Sequence, residues 1–110
     1  MYTISRAGKT TFTSTASAEM FPLDHHRSYL YIKNTSTATD CVITIAPGAG
    51  DVVDNEGIVL KQNEVHEMCT GLNNICIERI AVKVAAGASD PTKACLSYLL
   101  GRNTIPGAPA

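Results

Sequence analysis

Four groups of residues in this chain have types and spacings that could do chemistry. Gly8-Lys9-Thr10 carries the closing letters of a phosphate-cradling loop, in which backbone amides and a lysine grip the phosphates. The glycine such a loop requires five positions before Gly8 is Thr3, so the amide path around a phosphate is not encoded and nucleotide binding is not expected. His66, Cys69, Cys76 and Cys95 offer nitrogen and sulfur ligands of the kind zinc takes, and His66-x-x-Cys69 could grip one metal. There is no C-x-x-C pair, however, and on an extended chain an odd offset sends His66 and Cys69 to opposite faces. Asp24, His25, His26 and Ser28 hold the residue types of an activated nucleophile, but no glycine elbow surrounds Ser28 and adjacent histidines on an extended chain face apart. They read as a polar loop entering a strand. Asp51, Asp54 and Glu56 supply hard oxygen ligands suited to calcium without the full register of a calcium loop, and read as a solvated connection. Asn34-Thr35-Ser36 spells a glycosylation acceptor, which matters only on an exported chain.

The totals narrow the choice further. At 110 residues the chain fits one domain with a single core. Nine Lys+Arg against ten Asp+Glu give a net charge of −1 with no block of like charges, so neither a nucleic-acid stripe nor a polybasic membrane patch is expected. The start, MYTISRAGKTTF, lacks the apolar run of about 7 to 15 residues of a secretion leader, and nowhere do about 18 apolar residues run together. Cys41, Cys69, Cys76 and Cys95 could pair in three ways if oxidised. With no leader to read, reduced and mostly buried thiols are the expectation. No catalytic residue, cofactor, metal or small-molecule substrate is expected.

These residues must be positioned by strands. Breakers at 34–40 (NTSTATD), 47–50 (PGAG) and 85–91 (AAGASDP) fall between short apolar runs rich in Thr, Val and Ile. In Arg27 to Asn34 the alternation predicts Ser28, Leu30 and Ile32 inward, with Tyr29, Tyr31 and Lys33 on the other face. In CVITIA, Cys41, Ile43 and Ile45 share one side, and the intervening Thr/Ser stretch predicts a hairpin between the two strands. Further strands are expected at Ile58 to Leu60, at Val65 to Cys69, and at Ile75 to Val84 with a bend near Glu78 and Arg79. Ala94 to Leu100 is apolar on both faces, which predicts a strand buried on both sides or covered by a partner, with a short helix as the competing reading. Residues 1–26 read as an N-terminal arm or first strands, 27–100 as the core, and 101–110 as a tail interrupted by prolines.

The pattern Arg27-x-x-Leu30-x-Ile32-x-Asn34-x-Ser36, with the apolar strand at Val42 to Ile45, Gly57-Ile-Val-Leu60, and Ile80-x-Val82-x-Val84, resembles the small β-sandwich accessory proteins of tailed-bacteriophage virions, including capsid decoration or cement proteins. The resemblance covers roughly residues 27 to 85. It implies an all-β chain forming one small β-sandwich, jelly-roll-like or Ig-like, with extended N- and C-terminal arms and no active site. It implies a structural virion protein, made in the host cytoplasm and placed on the outer surface of the capsid. Its expected partners are the major capsid protein, whose neighbouring subunits it bridges, and further copies of itself in a homo-oligomer. Tyr29, Tyr31 and Tyr98 are the expected contact residues, as exposed amphipathic side chains. The alternative is a receptor- or carbohydrate-binding module of a tail appendage, for which six Tyr+Phe and no Trp are a sparse supply of aromatic platforms.

Overall fold

The computed structural model describes residues 2–48, 50–69 and 77–103, with side chains from 6 to 101 apart from Cys69. Among the described residues eight strands follow one another: β1 (Tyr2–Thr11), β2 (Ala18–Phe21), β3 (Arg27–Asn34), β4 (Ile43–Pro47), β5 (Ile58–Leu60), β6 (Val65–Cys69), β7 (Ile80–Val84) and β8 (Cys95–Asn103). The antiparallel pairs β1 with β8, β2 with β7, β3 with β6 and β4 with β5 double the chain back on itself as one long ribbon. Rolling that ribbon adds the pairs β3 with β8 and β4 with β7. The result is two four-stranded sheets of order β1-β8-β3-β6 and β2-β7-β4-β5, the eight-stranded jelly roll. The chain is therefore an all-β sandwich, and this order excludes the Ig-like arrangement.

Inward-facing positions of both sheets meet in one core. Leu30 and Ile32 of β3 and Leu96 of β8 oppose Ile43 and Ile45 of β4 and Ile80, Val82 and Val84 of β7, with Cys41 beside them, all fully or almost fully buried. The alternation read in residues 27–34 and 41–46 thus places the expected side chains inward. The expected hairpin between those two segments does not form. β3 lies in the first sheet and β4 in the second, so residues 35–42 carry the chain across the core.

Asn34 turns that corner. Its side chain is fully buried, and its Nδ2 donates to the carbonyls of Cys41 and Leu60, each at 2.9 Å. Its Oδ1 accepts from the amide and the hydroxyl of Ser36, and that hydroxyl also accepts from the Cys95 amide at 3.0 Å. The Asn-x-Ser of the sequence pattern is thus a polar clasp joining β3, β5, β8 and the crossover. Every hydrogen-bonding site of the Asn34 amide group is used.

The other end of β3 holds a second clasp. A bulge at Ser28 interrupts the pairing with β8, and the broken alternation leaves both Arg27 and Ser28 buried. The Arg27 guanidinium donates to the carbonyls of Glu78 (2.5 Å) and Pro22 (3.4 Å) and stacks 5.5 Å from the Phe21 ring centre. Its partners flank β2 and β7, so Arg27 and Asn34 tie the two ends of one strand to the opposite sheet.

Residues 50–57 fold over the outer face of the second sheet. Val52 packs on Ala46 and Ala81, whose small side chains leave it room. Asp54 bridges to Lys83 Nζ at 2.6 Å and accepts from the Ala86 amide, while the Asn55 amide donates to Thr44 Oγ1. Gly57 returns the chain to β5 at a φ of 148°, and a Cβ there would stand 2.7 Å from the Ile45 carbonyl oxygen. Gly57→Ala is therefore expected to destabilise the fold by roughly 2 kcal/mol through backbone strain and this clash, read as a lowered thermal midpoint.

Residues 95–100 lie in a strand, not a helix, and β8 continues to Asn103. Residues 2–26 supply one strand to each sheet, β1 beside β8 and β2 beside β7. β7 begins only at Ile80, after a turn and bend at Ile77 and Glu78, while Ile75 and Cys76 lie outside the described residues.

Candidate interaction surface

The residues that suggested chemistry are dispersed by this fold. Gly8, Lys9 and Thr10 lie within β1, extended and paired with Tyr98, Ser97 and Leu96, so their amides cannot curl around a phosphate. His25 and His26 are exposed, whereas Ser28 is buried two residues on. Asp24 Oδ1 accepts from the His26 amide at 2.9 Å, forming the turn that leads into β3. Asp54 is committed to Lys83 and Ala86, and both bonds hold its carboxyl below the usual range. Cys41 and Cys95 are free thiols; burial and the neighbouring Asp40 carboxylate raise the Cys41 thiol, which keeps it protonated and unreactive. The Cys69 side chain and Cys76 lie outside the described residues. Among the described residues no three His, Cys, Asp or Glu are placed to share a metal.

His66 faces inward from β6, opposite Ile32, with its Nε2 buried and making no hydrogen bond. Burial lowers its affinity for a proton below the ordinary 6.5. The unfolded chain therefore takes up this proton first on acidification, so stability falls as pH drops through about 6.5 and levels off below the folded value. Urea midpoints at about pH 7.5 and pH 5.5 are expected to differ in the wild type and to converge in His66→Gln. Asp40, Asp54 and Asp90 act lower on the scale. Hydrogen bonds hold their carboxyls below 3.8, and their support is lost only as pH falls through those depressed values.

The two outer sheet faces differ. That of the second sheet is roofed by the loop described above, with Thr44, Ala46 and Ala81 all buried. That of the first sheet presents Ala7 and Lys9 from β1, Ser97 and Leu99 from β8, Tyr31 and Lys33 from β3, and Val65 and Glu67 from β6. All eight are exposed or half-buried, and Val65 is 47 % exposed. The register aligns Ala7, Leu99, Tyr31 and Glu67 in one row across four strands. This is a mixed surface of small, apolar and charged groups on a rigid slab.

The expected contact tyrosines do not share it equally. Tyr31 lies on this face, half-buried. Tyr29 shares the face but is only 5 % exposed, hemmed between β8 and β6, with its hydroxyl donating to Glu67 Oε2. Tyr98 points inward and is also buried, its ring edge-to-face with Phe21 at 4.9 Å. It fits because the residue opposite is Gly8, where a Cβ would stand 2.7 Å from the Tyr98 hydroxyl, and Arg6 stacks over the ring. The expectation of exposed Tyr29 and Tyr98 is thus corrected. What sequence reading missed on this face is Leu99 and Val65, which the register sets on either side of the Tyr31 and Lys33 strand.

No family model matches the chain, and no curated relative matches it. Among solved structures, the chain is similar to the Tobacco streak virus coat protein dimer at 12 % identity and a TM-score of 0.44, covering 99 % of this chain and 88 % of that one. It is similar to the C2 crystal form of the Tobacco streak virus coat protein at 10 % identity and a TM-score of 0.44, covering 100 % of this chain and 88 % of that one. At this TM-score the likeness decides nothing about function, and the fold rests on the strand order itself.

Proposed function

We propose that this chain is a structural virion protein, a decoration or cement protein that binds across neighbouring major capsid subunits on the outer surface of the capsid and works as a homo-oligomer. The observation that carries the reading is the asymmetry of the two outer faces. Among the described residues, a loop covers one sheet and none covers the other, with Tyr31, Leu99, Val65, Lys9 and Glu67 on its outer face. The resemblance of the Arg27–Ser36 pattern to virion accessory proteins supports it as well. A module that binds the assembled shell and not its separated subunits stabilises the shell by its binding free energy at every junction, so modest contacts repeated many times suffice.

Jelly rolls serve capsid and lectin domains alike, so the fold does not choose between shell and sugar. Burial of Tyr29 and Tyr98 counts against a carbohydrate-binding tail module, since it leaves Tyr31 as the accessible one of the three. The test is to heat heads with and without the protein and to sediment them. Co-sedimentation and a higher rupture temperature in its presence are expected. An unchanged rupture temperature with no co-sedimentation would refute the proposal, and gold label on tails instead of heads would favour the appendage module.

A further inference from the structure

The free edges of the two sheets are unequal. The edges of the second sheet are short, four residues in β2 and three in β5, and Glu19 of β2 is already paired with Arg79 at 2.9 Å. The first sheet ends in β1, with ten residues, and β6, with five, and among the described residues no strand pairs with the outer edge of either. Open edges of this length invite another strand. Their charges are opposite. β1 carries Arg6 and Lys9 and no acid, whereas β6 and the three residues before it carry Glu64 and Glu67 and neither Lys nor Arg. All four side chains are exposed.

We infer that copies of this chain associate head to tail, the edge of β1 in one copy adding to the edge of β6 in the next so that the first sheet runs on from copy to copy. This deepens the homo-oligomer part of the proposed function. Within the sheet β1 runs antiparallel to β8, β8 to β3 and β3 to β6, so a copy placed in the same orientation brings its β1 antiparallel to β6. Side chains alternate, so only registers that match outer face to outer face continue the sandwich. Setting Lys9 opposite Glu67 does so and pairs residues 7–11, all beyond the β1 bulge between Ile4 and Arg6, with the whole of β6. The same register brings Thr10 beside His66, whose buried Nε2 makes no hydrogen bond within the described chain, and offers it a hydroxyl. Pairing β1 with β1 would instead bring Lys9 near its own copy, and pairing β6 with β6 would do the same for Glu67. The contact joins two different surfaces, so it closes into a ring or extends as a filament.

The experiment uses the full chain alone, without shells, in sedimentation velocity at low and high salt. The wild type is expected to exceed one chain in mass in a concentration-dependent way, less so at high salt. Lys9→Glu and Glu67→Lys are each expected to weaken association at least about tenfold, and the two together to restore it, because the swapped charges again attract across a two-surface contact. A protein that is monomeric at all concentrations, single variants without effect, or a double variant that fails to recover would each overturn the inference. Circular dichroism checks folding. If Glu67→Lys unfolds, Glu67→Gln, which keeps an acceptor for the Tyr29 hydroxyl, and Lys9→Gln carry the test, each weakening association severalfold, and no weakening in either overturns it. Self-association without shell binding would refute the cement role and leave this contact standing, while shell binding by a monomer would do the reverse.

Discussion

Asn34→Ala is expected to destabilise the protein by about 3 to 5 kcal/mol, a large share of the stability of a small domain. The truncation leaves the buried carbonyls of Cys41 and Leu60 without the donors that now satisfy them, and strips the Ser36 amide of its acceptor. Each orphaned buried group costs about 1 to 3 kcal/mol, and partial relaxation of the 35–42 crossover keeps the total below the sum. Asn34→Asp is expected to do no better, since a carboxylate has no N–H for either carbonyl and would be a buried charge. Ser36→Ala loses the hydroxyl between Asn34 and the Cys95 amide and is expected to cost about 1 to 2 kcal/mol. Urea midpoints at neutral pH check all three. An Asn34→Ala variant within 1 kcal/mol of the wild type would show that the crossover is held by packing alone.

At the far end of β3, Arg27→Ala is expected to cost about 2 to 4 kcal/mol. The loss combines two charge-assisted hydrogen bonds, to the carbonyls of Glu78 and Pro22, with the stacking on Phe21 and the packing of a side chain only 3 % exposed. Arg27→Lys is expected to recover less than half of it. A compact ammonium cannot reach both carbonyls and lie flat on the ring at once. Because the site is buried, the loss should change little between low and high salt, unlike that of a surface ion pair such as Arg79 with Glu19. A loss that vanished at high salt would instead place the role of Arg27 in long-range charge.

The two clasps give the Arg27-to-Ser36 pattern a mechanical meaning. Arg and Asn end an eight-residue strand whose middle, Leu30 and Ile32, is fully buried, and each reaches from the first sheet to backbone carbonyls of the second sheet or its flanks. A slab locked in this way presents its outer face without its two layers shearing, which suits the proposed contact with a shell. The same rigidity fixes the β1 and β6 edges relative to each other, and would set the angle between copies in the proposed head-to-tail association.

The residue order by itself determined the strands of residues 27–100, the inward sets Leu30 and Ile32, Cys41, Ile43 and Ile45, and the two-sided character of β8, because each depends on a period of two that acts within one segment. The tertiary structure alone decided which sheet each segment joined. A Thr/Ser-rich connection of eight residues between β3 and β4 reads the same for a hairpin as for a crossover, and the crossover brings Asn34 and Arg27 to carbonyls distant in sequence, at Leu60 and Glu78. It also decided the fate of the tyrosines. Alternation assigns Tyr98 to a face, but its burial depends on Gly8 and Phe21 arriving from the other end of the chain, and the open face exists because Val52 roofs one sheet and no described segment roofs the other.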